Sequence, residues 1–237
     1  TGNATVVNAS ALDLAASTVG GNLAVTATTG NLTDSGAVAV GGTTTLTTSA
    51  ANATIDVGTT ASTGAVSLNT NGASGSATIV HANALDLGVS SVGGNLVATA
   101  TTGNVTDSST VTVGGTTNIT TLNADDDIDL GSLASTGSVT LTTSGTTGNA
   151  SVVNASALDL AASSVGGNLI ATATTGNVTD TGIVTVGGTT NITTTNADDD
   201  IDLGSLASTG PVTLTTSGTT GNATVVNASA LDLAAST

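Results

Sequence analysis

Apolar residues alternate with polar or small ones in short bursts along the whole chain: Leu12-Asp-Leu14, Leu23-Ala-Val25-Thr-Ala27, Val38-Ala-Val40 and Val66-Ser-Leu68. A period of two marks a strand with one buried face. β-branched residues dominate and glycine recurs every few positions, so no stretch suits a helix of useful length. TTGN, VGG and STG fall between the bursts, supplying Gly for positive φ and Asn for closing a turn. The chain therefore predicts many short strands separated by tight corners.

These bursts recur at one fixed spacing, without insertion or deletion. NATVVNASALDL at Asn3 returns as SATIVHANALDL at Ser76, NASVVNASALDL at Asn149 and NATVVNASALDL at Asn222. The repeats span 3–75, 76–148 and 149–221, with a partial fourth at 222–237; the second and third differ at only 13 of 73 positions. Such self-similarity is the signature of a solenoid, in which each unit buries its apolar face on the next. Residues 1–237 are expected to form one continuous stack. Because the sequence opens and closes within a motif, it is also expected to be a piece of a longer array.

Glycine steps divide each repeat into three coils, Gly20–Val40, Gly41–Thr63 and Gly64–Val92, of which the third is the longest. The first contains three strands, at Asn22–Ala27, Asn31–Asp34 and Ala37–Val40. A left-handed hexapeptide helix would need coils of equal length, which these are not. The expected fold is all-β, a right-handed parallel β-helix with three coils per 73-residue repeat. Leu12, Leu85, Leu158 and Leu231 would then share one inward column. Stacked aliphatics at Leu14, Leu23, Val25, Val40, Leu46, Ile55, Val57, Val66 and Leu68 would form the core.

Composition narrows this further. The 237 residues contain no Lys, Arg, Cys, Met, Phe, Trp or Tyr, so the interior must be built from small and branched aliphatics and be narrow. A stack of flat strands meets that condition. Disorder is disfavoured, because 38% of residues are hydrophobic and only 7% are charged. A net charge of −16 with no basic residue removes the electrostatic route to nucleic acid or anionic membranes. No apolar run approaches the ~20 residues of a membrane-spanning helix.

The stretch LDLAASTVGGNLAVTATTGNLTDSGAVAVGGTTTLTT at Leu12–Thr48 resembles the repeats of filamentous-haemagglutinin-like proteins. The similarity rests on the VGGNL step (Val19–Leu23), the GN-hydrophobic-T-D-SG turn (Gly30–Gly36) and the VGGTTTL step (Val40–Leu46). These motifs recur at Val92–Leu96, Gly103–Ser109 and Val113–Ile119, and again at Val165–Leu169, Gly176–Gly182 and Val186–Ile192. That family comprises large bacterial exoproteins, many exported by two-partner secretion. The resemblance implies a right-handed β-helical shaft on the extracellular bacterial surface, used in cell adhesion or biofilm-type contact. The family's amino-terminal secretion domain is not in this sequence, and the copies are more alike than is usual in such shafts. The first leaves the export route open, and the second leans towards a purely structural spacer or fibre.

The densest acidic feature is NADDDIDLG, which places Asp125, Asp126, Asp127 and Asp129 together, and Asp198, Asp199, Asp200 and Asp202 one repeat later. Clustered carboxylates suit a hard cation such as calcium, but the spacing matches neither an EF-hand nor the Gly-Asp nonapeptide. The first copy has only Asn52-Ala-Thr-Ile-Asp56 there. A solvated turn is the preferred reading and structural calcium the alternative; no cofactor and no metal site is assigned. Thr45-x-Thr47 and Thr140-x-Thr142 invite comparison with ice-binding solenoids, yet Asn118 and Thr120 replace the first pair in the second copy.

His81, the only histidine, is matched by Asn8, Asn154 and Asn227, a poor pattern for a catalytic base. Asn-x-Ser/Thr sequons at Asn3, Asn8, Asn31, Asn52, Asn104 and elsewhere follow largely from composition. Sugar-cleaving β-helices need paired carboxylates with basic or aromatic contacts, and this chain has neither basic nor aromatic residues. The expectation is a non-catalytic structural rod, with no catalytic, cofactor or metal residues. Its partners would be further repeats of the same chain, not nucleic acid and not a membrane interior. A self-assembling extracellular filament or sheath subunit is the alternative.

Overall fold

The computed structural model describes residues 2–237. Every described strand pairs in parallel with its neighbours, and no helix occurs among these residues. Two sheets enclose one continuous core of buried Leu, Val, Ile and Ala. The chain climbs by crossing from one sheet to the other: Ala4–Asn8 lies in the first, Leu12–Leu14 and Ser17–Val19 in the second, Leu23–Ala27 in the first again. Each pair of crossings is one coil. Eleven strands follow one another up the first sheet, and at ~4.8 Å per layer the stack is about 50 Å long. This is the expected parallel β-solenoid.

Alternation sets the strands as predicted. Leu23–Ala27, Leu32–Asp34 and Val38–Val40 coincide with the three strands read in the first coil. Leu23, Val25 and Ala27 point inward while Ala24 and Thr26 face out, the half-buried pattern of a period-two strand. Side chains then stack on their counterparts one layer away, as Val25 does on Leu46 and Leu46 on Leu68. Every aliphatic named as core from the sequence is buried, and of the predicted inward column Leu85 and Leu158 are buried and Leu12 partly so.

Coil length departs from the parsing. Leu23, Thr44, Val66 and Leu87 follow one another up one sheet at nearly equal steps. The third coil thus closes at Leu87, whereas the glycine step at Gly93 would have carried it on to Leu96. Leu96, the next repeat's copy of Leu23, lies instead on the opposite sheet. Each 73-residue repeat therefore holds three complete coils plus a further half coil. Seven half-turns make a repeat, and because seven is odd, successive repeats enter on opposite faces.

The column predicted for Leu12, Leu85, Leu158 and Leu231 is corrected accordingly. Leu12 and Leu158 lie in one sheet and Leu85 in the other, while Leu231 is outside the strands and 44% exposed. Glycine steps alone could not reveal the extra half-turn, because the chain crosses at Ala82–Ala84 without one.

Polar side chains finish the corners. Asn22 Oδ1 accepts the Thr43 N–H one coil on (3.0 Å), and Asn31 Oδ1 accepts that of Thr54 (3.0 Å). Asn95 and Asn104 do the same for Thr116 and Asp127 (2.9 Å each). These bonds continue the ladder where the backbone bends out of register, so the corner N–H groups keep a partner in the protein. Glycine is needed where coils approach most closely: a Cβ on Gly114 would collide with the Gly93 carbonyl oxygen.

Candidate functional site

The acidic loops are the natural place to look for chemistry. Asp125 sits at φ 66°, Asp198 at 67° and Asn52, their counterpart, at 63°, the left-handed region that Asn and Asp tolerate best among side-chain-bearing residues. Asp125 Oδ1 accepts the N–H groups of Thr146 (3.0 Å) and Thr147 (2.9 Å) in the next coil. Asp198 does the same to Thr219 and Thr220, and Asn52 Oδ1 takes the Ser74 N–H at 3.0 Å. An amide oxygen thus replaces the carboxylate without changing the bond's role. Backbone N–H donation by Thr147 and Thr220 holds the carboxyls of Asp125 and Asp198 below the ordinary Asp range.

Their neighbours turn elsewhere. Asp126 Oδ2 accepts the Gly103 N–H (2.6 Å) and the Asn123 side-chain amide (3.0 Å). Asp127 Oδ1 accepts the backbone and side-chain N–H groups of Asn149 (2.7 and 3.0 Å). Asp199 and Asp200 repeat these bonds to Gly176 and Asn222, while Asp129 and Asp202 are exposed. Each loop distributes its carboxylates over separate amides in neighbouring coils. Among the described residues no group of three or more acidic or His side chains is placed to hold an ion.

Asp34, Asp107 and Asp180 form a set that the sequence reading did not single out. Asp107 bridges two successive backbone amides, Gly131 (2.8 Å) and Ser132 (2.9 Å). Asp34 and Asp180 do the same at Gly58–Thr59 and Gly204–Ser205. The available signal was the Asp of the GN-hydrophobic-T-D turn, followed by an IDxG strand about one coil later. Burial pushes the Asp107 carboxyl up, against the pull of its amide bonds, and repulsion from Asp129 and Asp86 adds to the rise.

His81 is fully buried. Its Nε2 accepts the Ser62 N–H at 2.6 Å, and Nδ1 lies 3.2 Å from the Asn83 carbonyl oxygen. Accepting at Nε2 and donating at Nδ1 define a neutral imidazole. Burial lowers its pKa, outweighing the opposing bonds at Asn83 and Ala84. Asn154, its counterpart, accepts the Ser135 N–H through Oδ1 (2.8 Å) and donates Nδ2 to the carbonyls of Ser135 and Ala157. Both side chains do the same work at a coil corner.

The Thr texture resolves into a ladder one hydroxyl wide. Thr99, Thr120, Thr142, Ser164 and Thr185 follow one another up one face, bounded by Val80 below and Ala207 above. The Thr-x-Thr pair does not recur on every coil. Surface depressions are shallow dents between coils; one lined by Ala39, Ala61 and Val80 has a copy at Ala134 and Val153 in the next repeat, on the opposite face.

What the residues build is a repetitive β-solenoid whose polar side chains are largely consumed in joining one coil to the next. The chain belongs to the family described as Repeats of unknown function (DUF5649), which matches residues 1–69, 74–142 and 147–215. Those three matches keep the spacing of the sequence repeats, each starting two positions ahead of one. No curated protein and no solved structure matches the chain.

Proposed function

We propose that this chain is a non-catalytic structural rod: the repetitive shaft of a large, extracellular bacterial surface adhesin or fibre, acting as a spacer that carries a binding region away from the cell. The observation that carries this reading is the use of the polar groups. The acidic loops, the corner asparagines and the sole histidine are committed to coil-to-coil caps, which extend a stack and leave no convergent set of reacting groups. Resemblance of the VGGNL, GN-hydrophobic-T-D-SG and VGGTTTL steps to filamentous-haemagglutinin-like repeats supports the surface location. A charge of −16 without a cation favours repulsion between neighbouring rods and argues against nucleic acid as partner. The reading requires no bound cation or cofactor.

Electron microscopy of arrays with different repeat numbers tests it. Isolated rods should lengthen by about 17 Å per added repeat, three and a half layers of ~4.8 Å. Filaments much longer than one chain would instead identify a self-assembling sheath or fibre subunit.

A further inference from the structure

We propose that Asn71 is a self-modifying site, which the backbone nitrogen of Gly72 converts through a cyclic imide into a mixture of aspartate and isoaspartate. The chain has twenty asparagines, and nineteen of them are followed by Ala, Leu, Val, Ile or Thr. Only Asn71 precedes a glycine. A side chain on the following residue crowds the attacking nitrogen, so ring closure is easiest where that residue has no Cβ.

The fold leaves that nitrogen free. Asn71 ends the strand Val66–Asn71 and is exposed, and Gly72 turns the corner at φ 84°. The Gly72 N–H donates to no protein group among the described residues, whereas those of Gly64 and Gly137 are held by the Gly42 and Gly115 carbonyls at 3.0 Å each. Two bonds oppose ring closure. The Asn71 carbonyl accepts the Asn52 N–H (2.6 Å), and Asn71 Nδ2 donates to the Ser49 carbonyl (2.9 Å). Bonds of this kind should together slow the folded chain about thirtyfold against the unfolded one.

The corner imposes the glycine but not the asparagine. Gly145 and Gly218 stand at the same place in the later copies, at φ 82° and 87°. A Cβ on Gly72 would lie 2.6 Å from Asn52 Oδ1 and 2.9 Å from the Asn52 nitrogen. Asn71 itself is replaced by Ser144 and Ser217, whose backbone carbonyls accept the N–H groups of Asp125 (2.9 Å) and Asp198 (2.8 Å) just as Asn71 accepts that of Asn52. The turn therefore closes without an amide side chain, and the first repeat alone carries the reactive pair.

The reaction needs only water. Gly72 N gives its proton to hydroxide and forms a bond to Asn71 Cγ; the Cγ–Nδ2 bond breaks, and Nδ2 takes the bonding pair and a proton from water to leave as ammonia. Water then adds to one ring carbonyl. Cleavage of the new Cγ–N bond yields aspartate, and cleavage of the original peptide bond yields isoaspartate, whose backbone runs through Cβ. Either product adds a negative charge and withdraws the donor from the Ser49 carbonyl. Isoaspartate also lengthens the backbone where the Asn52 N–H docks. Ammonia is lost, so the modified fraction grows with the age of the chain.

The test incubates the full chain at mildly alkaline pH, once folded and once in denaturant. Intact mass reports loss of ammonia and gain of water, and an isoaspartate-specific methyltransferase counts the rearranged product. The chain has no Lys or Arg for trypsin, so fragments from a protease that cuts at apolar residues locate the change. Folded chains should be modified at residue 71 alone, about thirtyfold more slowly than in denaturant. Asn71→Ser should abolish the reaction. Ser144→Asn, which precedes the equally free Gly145 N–H, should add a second site. Thr63→Asn, which precedes the bonded Gly64 N–H, should add one in denaturant only. Circular dichroism should retain its β signal in every folded variant. An Asn71 that stays intact in the folded chain would overturn the proposal, as would equal modification of positions 63 and 71 in folded rods of the Thr63→Asn chain.

Discussion

Acid should loosen this rod first at one corner. His81 accepts the Ser62 N–H and is buried as the neutral imidazole, while the corresponding corners one and two repeats later use Asn154 and Asn227, which do not titrate. Burial sets the folded pKa of His81 below its ordinary value of 6.5. The stabilisation that this neutral corner provides is thus complete above 6.5. It falls as the pH drops from there towards the folded pKa, because the opened state takes up a proton that the closed state refuses. One proton is involved, so the local opening constant can rise by at most about tenfold per pH unit, or ~1.4 kcal/mol. A protonated ring could no longer accept from Ser62, and leaving a buried N–H unpaired costs ~1–3 kcal/mol. In a solenoid that loss falls on the coils adjoining His81. Hydrogen exchange resolved to single amides, with intrinsic rates removed, is the assay. Protection at Ser62 should fall between neutral pH and pH 5 while that at Ser135 stays level, and His81→Asn should make the two alike. Parallel pH profiles at Ser62 and Ser135 in the unaltered chain would refute the reasoning.

Other expectations follow from the same bonds. Leu158→Asp puts a charge in a fully buried site and should open the middle of the rod to proteolysis; Leu158→Ala should cost ~2–5 kcal/mol by local hydrogen exchange. Asp126→Asn keeps an oxygen to accept the Gly103 N–H, so circular dichroism melting should be unchanged with or without a chelator; melting by chelation alone would make the acidic loops structural calcium sites. Asp125 and Asp198, held below the ordinary Asp range, contribute stability that is full above that range and lost as pH falls through their folded values, so strong acid should raise exchange at Thr147 and Thr220. Gly114→Ala should destabilise its coil more than any exposed Thr→Ala change, read as selective cleavage near Gly93.

Much of this was legible in the residues. Period-two bursts located the three strands of the first coil to within a residue, and the absence of large side chains implied a narrow interior. That the acidic loops share one turn with the first copy was legible, because Asn52 already stood where Asp125 and Asp198 stand. The amide-bridging role of Asp34, Asp107 and Asp180 was not legible. It depends on which amides lie one coil above, far along the sequence from each carboxylate, and so on coil length, the quantity that glycine spacing misjudged.

Coil length carries the final prediction. Stacking coils at the glycine steps would set Val66–Asn71 directly beneath Leu96–Ala100, with Asn69 under Thr99. The structure instead places Asn69 beside Ser91 on one sheet and Thr99 on the other. Adjacent strands lie ~4.8 Å apart, within the Cα separation that a disulfide spans, whereas opposed sheets are ~10 Å apart. The chain has no cysteine of its own, so introduced pairs report cleanly. Asn69→Cys with Ser91→Cys should close within one chain on mild oxidation, and Asn69→Cys with Thr99→Cys should remain reduced, scored by intact mass after alkylation. The opposite pattern would restore three whole coils per repeat and put every copy on one face. With three and a half, anything the repeats display alternates from side to side, and the same face returns only at every second repeat, seven layers or about 34 Å along the axis.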